Sequence, residues 1–204
     1  MTNTASNLTH ARVAVVERVT RETRIVARLD LDGASDVKVA TGIGFLDHLL
    51  TALATHARVG LELTCQGDLY VDDHHTAEDC GLVVGEALGR ALDDRRGVAR
   101  FGSAYAPLDE ALARAVVDLS GRPFAVVELG LTRPAIGQLA CENVSHVLAS
   151  LALAARLTLH VDVLRGANDH HRAEAAFKAT ALALRQAITL TGASGVPSTK
   201  GILA

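Results

Sequence analysis

Two short stretches of this chain hold the residues best suited to chemistry: Asp73-His74-His75-Thr76-Ala77-Glu78-Asp79 and Asp169-His170-His171-Arg172-Ala173-Glu174. On a helix, the first His and the Glu of each stretch are four residues apart and the second His and the Glu three apart, so both spacings put ligands within reach of each other. Adjacent residues diverge by about 100° around a helix axis, so His74 and His75 cannot easily grip one ion, but they can serve two. The same holds for His170 and His171. Imidazole and carboxylate without thiolate suit manganese, iron or zinc and leave room for water or substrate. His48 and His146 each add a nitrogen from upstream, giving six histidines and two glutamates for two four-ligand sets.

A single His-His pair would be read as a helix cap or a turn, so the repetition carries the case. His48 to His146 is a step of 98 positions, as are Ala57-Arg58 to Ala155-Arg156 and Leu61 to Leu159. His74 to His170, His75 to His171 and Glu78 to Glu174 are each 96. Upstream, Leu29-Asp30-Leu31-Asp32-Gly33 resembles Val117-Asp118-Leu119-Ser120-Gly121 at an offset of 88. Self-similarity over this length marks an internal duplication and makes a pseudo-symmetric pair of metal sites the natural reading. His10, in the N-terminal stretch, His56, which aligns with Ala154, and His160, on the strand face opposite Leu159 and Val161, have no such company and are read as non-ligands.

Periodicity shows which elements must position these groups. Phe45, Leu46, Leu49, Leu50 and Leu53 recur at helical spacing around His48, and Leu82, Val83, Leu88, Ala91 and Leu92 do so after Glu78, predicting helices with one buried face. Leu61, Leu63 and Cys65 alternate with Glu62, Thr64 and Gln66, and Leu157, Leu159, Val161 and Val163 repeat the period of a half-buried strand. Gly67-Asp68 and Gly166-Ala167-Asn168-Asp169 supply turns ahead of the two motifs. Each half therefore mixes strands and helices, an α+β organisation. The boundaries expected are a flexible tail over 1–10, a first half over 11–97, a second half over 98–192 and a C-terminal loop over 193–204, all forming one functional unit. Arg95-Arg96 reads as a solvated turn.

Composition narrows the class. Nearly half the residues are apolar, enough for a substantial core, and the formal net charge of -3 is scattered along the chain. Nothing resembles the basic footprint of a nucleic-acid binder. Three cysteines, Cys65, Cys80 and Cys141, without a CxxC pairing, argue against a disulfide framework or a thiolate zinc site and point to a reducing cytoplasm. The N-terminal stretch lacks a signal-peptide pattern, and the longest apolar run, Val147 to Ala155, is far short of the roughly 20 residues a membrane span needs. A soluble protein is expected.

At these residues the chain resembles the imidazoleglycerol-phosphate dehydratase family. The shared stretches are Arg21-Glu22-Thr23, Leu31-Asp32-Gly33, Gly44-Phe45-Leu46-Asp47-His48, Gly67-Asp68, His74-His75-Thr76-Ala77-Glu78-Asp79, Arg100-Phe101-Gly102 and Leu108-Asp109-Glu110. They continue through Asp118-Leu119-Ser120-Gly121-Arg122-Pro123, His170-His171 with Glu174, Phe177-Lys178-Ala179 and Gly195-Val196-Pro197-Ser198-Thr199-Lys200-Gly201. The resemblance implies an internally duplicated α/β sandwich with helices layered between two mixed β-sheets. It implies two manganese ions, one held by His48, His75, Glu78 and His171 and the other by His74, His146, His170 and Glu174. It also implies a homo-oligomer of 24 subunits with sites at subunit interfaces. Two departures stand out: Ala52 replaces a Gln common in similar proteins, and Leu129 to Gly137 matches poorly.

The implied reaction removes water from imidazole glycerol phosphate to give imidazole acetol phosphate, in histidine biosynthesis. The hydrogen removed is not next to a carbonyl, so the imidazole ring must take up the electrons, with bound cations as Lewis acid and template. Glu174, or a water beside it, is the expected proton acceptor with Glu22 as partner, and His74 and His75 are counted with them as catalytic. Asp79 and Asp109 are expected to orient imidazoles. Arg100, Arg122, Lys178, Ser198 and Lys200 are the expected grip on the phosphate ester. Lys178 also stands four residues after Glu174 and could pair with it on the helix. Pro197-Ser198-Thr199-Lys200 lacks P-loop glycines, so ATP is not implied. The rival readings are a dinuclear metallohydrolase and a non-catalytic protein whose histidines staple subunits together.

Overall fold

A computed structural model describes residues 11–33 and 36–203. The stretch read as a tail, with His10, lies outside them. The first half runs β1 (Val13–Val19), β2 (Thr23–Asp30), β3 (Val37–Ala40), α1 (Gly44–Ala57), β4 (Gly60–Gly67) and α2 (His74–Leu92). The second runs β5 (Phe101–Leu108), β6 (Ala111–Asp118), β7 (Phe124–Glu128), a small hairpin of β8 (Ala135–Ile136) and β9 (Leu139–Ala140), α3 (Cys141–Ala154), β10 (Thr158–Arg165) and α4 (Asp169–Ala187). Both HHxxE motifs open a helix, as the spacing predicts.

The duplication is visible in the topology. One sheet has the order β1-β2-β4-β3 and the other β5-β6-β10-β7. In each, the first hairpin is antiparallel, the strand after the His-bearing helix joins it antiparallel, and the short strand before that helix pairs parallel to it. A parallel pair needs a crossover, and α1 and α3 supply it. Among the described residues, the one element without a counterpart is the β8–β9 hairpin. It sits where the register offset rises from 88 to 98 positions, so the poorly matching Leu129 to Gly137 stretch is an insertion in the second half.

Strand alternation gives each sheet one apolar face. Ile25, Ala27 and Leu29 of β2 and Leu61 and Leu63 of β4 are buried, as are Ala113, Ala115 and Val117 of β6 and Leu159 and Val161 of β10. Against these faces pack helices that also touch each other. α1 lies on β3 and β4, α2 on β1, β2 and β4, α3 on β7 and β10, and α4 on β5, β6 and β10. Across the middle, α1 meets α4 and α2 meets α3. The helices thus fill the space between the two sheets, and Leu46, Leu49, Leu148, Leu151 and Phe177 are wholly enclosed there. Burying side chains of this size stabilises by about 1.5–3 kcal/mol each.

The α2–α3 crossing is unusually close. A Cβ on Gly85 would fall 2.3 Å from the Leu151 carbonyl oxygen, and one on Gly81 2.7 Å from that of Val147. Only glycine permits this approach, which brings His146 of α3 beside the motif on α2. The residue matching Gly81 in the other half is the enclosed Phe177, a spacer where the first half has none.

Arg95 departs from the solvated turn expected of it. It is buried, and its guanidinium donates to the carbonyls of Leu119, Ala155 and Arg156, closing the end of α3 against the end of β6. Composition could not show this, because the partners are backbone oxygens remote in sequence. Arg96 is exposed and among the described residues pairs with Asp94. His160 lies exposed on the outer sheet face against Phe124, and His56 is exposed at the end of α1, so neither joins a ligand group. No helix among the described residues is long and apolar enough to cross a membrane.

Candidate metal centre

The two motif helices start in matching ways. The carboxylate of Asp72 accepts the backbone N–H of His74 at 2.9 Å, and the side-chain oxygen of Asn168 accepts that of His170 at 2.9 Å. These side chains satisfy donors that a helix N-terminus leaves open. The next residue in each motif reaches outward. Asp73 accepts the Ala140 N–H at 2.7 Å, and Asp169 accepts from the backbones of Thr132 and Arg133 and the Thr132 hydroxyl. The inserted stretch of the second half is therefore clamped at one end by Asp169 and at the other by Asp73.

Two ligand clusters form. His48, His170 and Glu174 make one, His74, Glu78 and His146 the other, and in each the candidate ligand atoms all lie within 4.8 Å of one another. The helical His of one half joins the motif of the other half, through the α1–α4 and α2–α3 crossings. In the first cluster, Glu174 Oε2 is 3.0 Å from His48 Nε2 and 3.2 Å from His170 Nε2. In the second, Glu78 Oε1 is 3.2 Å from His146 Nε2 and Glu78 Oε2 is 3.8 Å from His74 Nε2. The rings of His74 and His146 stack with centroids 5.1 Å apart.

Whether these residues fit a cation can be judged from the donor arrangement. Ligand atoms about 2.1 Å from one ion lie roughly 3–3.5 Å from each other, close to the spacing here. The His146 Nε2 atom is buried and has no hydrogen bond, although Glu78 Oε1 is 3.2 Å away. A buried nitrogen without a partner is costly unless something else fills the place. The residues fit a divalent cation at each cluster.

The partition differs from the one implied by resemblance. Within the chain, Glu78 stands with His74 and His146, not with His48 and His75; Glu174 and His170 stand with His48, not with His74 and His146. The reason is the helical register: each Glu shares its face with the motif's first His, and the crossing helix that reaches that face comes from the other half.

His75 and His171 join neither cluster. His75 donates through Nδ1 to Asp68 at 3.0 Å, and His171 through Nδ1 to Glu110 at 2.7 Å. These carboxylates raise both imidazole pKa values, and His171 in turn holds Glu110 down to about 2. Fixing Nδ1–H leaves Nε2 as the remaining ligand atom, which in neither residue belongs to a cluster of its own chain. Of the two carboxylates expected to orient imidazoles, Asp79 instead accepts from Arg18 and Thr23, tying the β1–β2 hairpin to α2, and Asp109 is 3.8 Å from the His171 Nε2. The orienting groups are Asp68, Glu110 and Asn143, the last accepting from His74 Nδ1 at 3.0 Å. Glu110 could have been found in the sequence, since the offset of 88 pairs it with Glu22; Asn143 is no motif residue and gave no such signal.

Glu174 is fully engaged. Its Oε1 meets Lys178 Nζ at 2.7 Å while Oε2 faces the two imidazoles. Burial would raise this carboxyl, but hydrogen bonds from Lys178 and His48 outweigh it and bring the pKa to about 2. Glu22 is half exposed, with Oε1 3.7 Å from His75 Nε2. At the expected phosphate end, Arg100 is committed in the chain: it pairs with Asp118 at 2.7 Å, donates to the Pro197 carbonyl at 2.7 Å and stacks on Phe101. It thereby anchors the loop carrying Ser198, whose Oγ accepts the Lys200 N–H at 3.2 Å. Lys200 and Arg122 are exposed.

Comparison with known proteins agrees with the architecture. The family model described as imidazoleglycerol-phosphate dehydratase matches residues 41–184. A protein of that name from Candida glabrata is 57% identical over 210 residues, covering 94% of this chain and 100% of its own length. One from Phytophthora nicotianae is 58% identical over 98% of this chain, which spans 44% of that longer protein. The crystal structure of imidazoleglycerol-phosphate dehydratase from Staphylococcus aureus subsp. aureus N315 superposes with a TM-score of 0.78 at 37% identity, over 88% of this chain and 99% of the other.

Proposed function

The chain belongs to the imidazoleglycerol-phosphate dehydratase family, and from that premise we propose how its residues carry out the family's reaction. The protein is a hydro-lyase of histidine biosynthesis, removing water from imidazole glycerol phosphate to give imidazole acetol phosphate. The observation that carries the reading is the pair of three-ligand clusters, each built across the two halves, one holding a buried imidazole nitrogen with no hydrogen bond. Neither the hydrolase nor the staple reading is kept, because the family is established.

Each cluster would hold a divalent cation, and manganese is our assignment. When bound, the pair supplies Lewis acidity and a template for the substrate's imidazole ring. His75 and His171, which join neither cluster of their own chain, would complete those of neighbouring chains. That arrangement fits a homo-oligomer, which we place at 24 subunits. Exposed Val15, Val19, Phe101, Tyr105 and Phe124 on the outer sheet faces offer apolar surface for such contacts. Three free, buried cysteines are compatible with the cytoplasm as its compartment.

Among the chain's own groups, Glu174 is a ligand first. With both oxygens engaged, it has no oxygen left to accept a proton, so we assign removal of the carbon-bound proton to Glu22, beside His75. Arg100, Arg122, Lys178, Ser198 and Lys200 would bind the phosphate, with Arg100 fixing the loop that carries the last two. The test is to strip metal with chelator, restore manganese and assay imidazole glycerol phosphate with Glu22→Gln and Glu174→Gln. E22Q should keep its metal and lose about 10²–10⁴-fold in kcat. E174Q should lose an ion per chain. A metal-loaded wild type without product would defeat the reading.

A further inference from the structure

The pseudo-symmetry that builds the two clusters is broken at the residues that touch them. Four positions after Glu78 stands Leu82; four after Glu174 stands Lys178, and the offset of 96 makes these two positions equivalent. Lys178 Nζ is 2.7 Å from Glu174 Oε1, whereas no cation pairs with Glu78 among the described residues other than the two imidazoles of its own cluster. A second difference points the same way. Asn143 is buried and accepts from His74 Nδ1, fixing that ring with Nε2 toward Glu78. Its equivalent at an offset of 98 is Phe45, which packs on His170 with centroids 4.9 Å apart and has no group to accept from it.

Resting on the metal reading above, we infer that the two cation positions are inequivalent: His74, Glu78 and His146 take the first ion and hold it tightly, while His48, His170 and Glu174 take the second and hold it weakly, because Lys178 already competes for their carboxylate. A carboxylate with a lysine on one oxygen offers a cation less charge than a free one, and a ring without a partner on its far nitrogen is a weaker, less oriented ligand. One consequence follows for substrate. A phosphate that draws Lys178 away frees Glu174 Oε1, so the phosphate ester and the second ion bind with positive coupling, and by linkage each strengthens the other equally.

The experiment is a manganese titration of the chelator-stripped, full-length protein, counting free Mn²⁺ by its electron paramagnetic resonance signal. Wild type should show two ions per chain in two classes differing roughly tenfold or more in affinity, the size expected for a charge-assisted hydrogen bond. Lys178→Met, which restores the Leu82-like environment, should tighten the weak class toward the strong one. Leu82→Lys should weaken the strong class. Two equivalent ions in wild type, or a weak class that K178M leaves unchanged while L82K leaves the strong class unchanged, overturns the inference alone. No bound ion in any of the proteins overturns it together with the metal reading.

Discussion

His146 Nε2 lies 3.2 Å from Glu78 Oε1, buried, and makes no hydrogen bond to it. The helices α2 and α3 hold these two candidate ligand atoms together across a glycine-lined crossing. Removing the ion that fits there should cost stability. A ligand at a hundred times its Kd stabilises by about 2.7 kcal/mol. For a chain of this size each kcal/mol is worth about 2–4 °C. Chelator should therefore lower Tm by roughly 5–10 °C per position lost, and manganese should restore it. An unchanged Tm after verified metal removal would contradict the assignment.

Asn143 is expected to set the affinity of the cluster it serves. Asn143→Leu keeps the bulk but leaves the partly buried His74 Nδ1–H without its acceptor. Manganese affinity at that position should fall about 10–100-fold. Competition against a chelator of known affinity measures it, and the other position should be unaffected.

Asp169 clamps the inserted stretch through the backbones of Thr132 and Arg133. Burial raises its carboxyl, but those N–H bonds and the Thr132 hydroxyl outweigh it and lower the pKa below 3.8. A depressed carboxyl contributes stability above its unfolded value that is lost as pH falls through the folded one. Asp169→Asn should cost about 1.5–3 kcal/mol at neutral pH. The difference from wild type should shrink as the pH is taken below 3.8, a trend urea unfolding at several pH values would reveal.

Arg95 should be more costly to replace than a surface arginine. Arg95→Met preserves the stem but strands the carbonyls of Leu119, Ala155 and Arg156. A loss of about 3 kcal/mol is expected. In a thermal scan this is roughly 6–12 °C. Arg96→Met, one residue on and exposed, should change Tm by less than a degree or two.

Arg100 joins Asp118 to the Pro197 carbonyl, so it supports the C-terminal loop as well as any ligand there. Arg100→Ala should raise KM for the phosphate substrate more than it lowers kcat and should make the loop easier to cleave by limited proteolysis. A kcat effect with unchanged KM would remove Arg100 from phosphate binding.

Much of this was legible before any coordinates. The doubled HHxxE motif, its helical placement and the matching His48 and His146 nominated eight candidate ligands, of which the structure gathers six into two clusters. Alternation along β4 and β10 and the 3.6-residue stripes of α1 and α2 located the core faces for the same local reason: side-chain direction repeats with backbone geometry. Which ligands stand together was decided only in three dimensions. His48 meets Glu174, and His146 meets Glu78, because α1 crosses α4 and α2 crosses α3; a crossing depends on volumes such as Gly81 against Phe177, which no spacing rule encodes. Likewise Leu119 and Ala155 for Arg95, Arg133 for Asp169 and His74 for Asn143 lie 24 or more positions away, and only folding brings a donor to an acceptor over such distances.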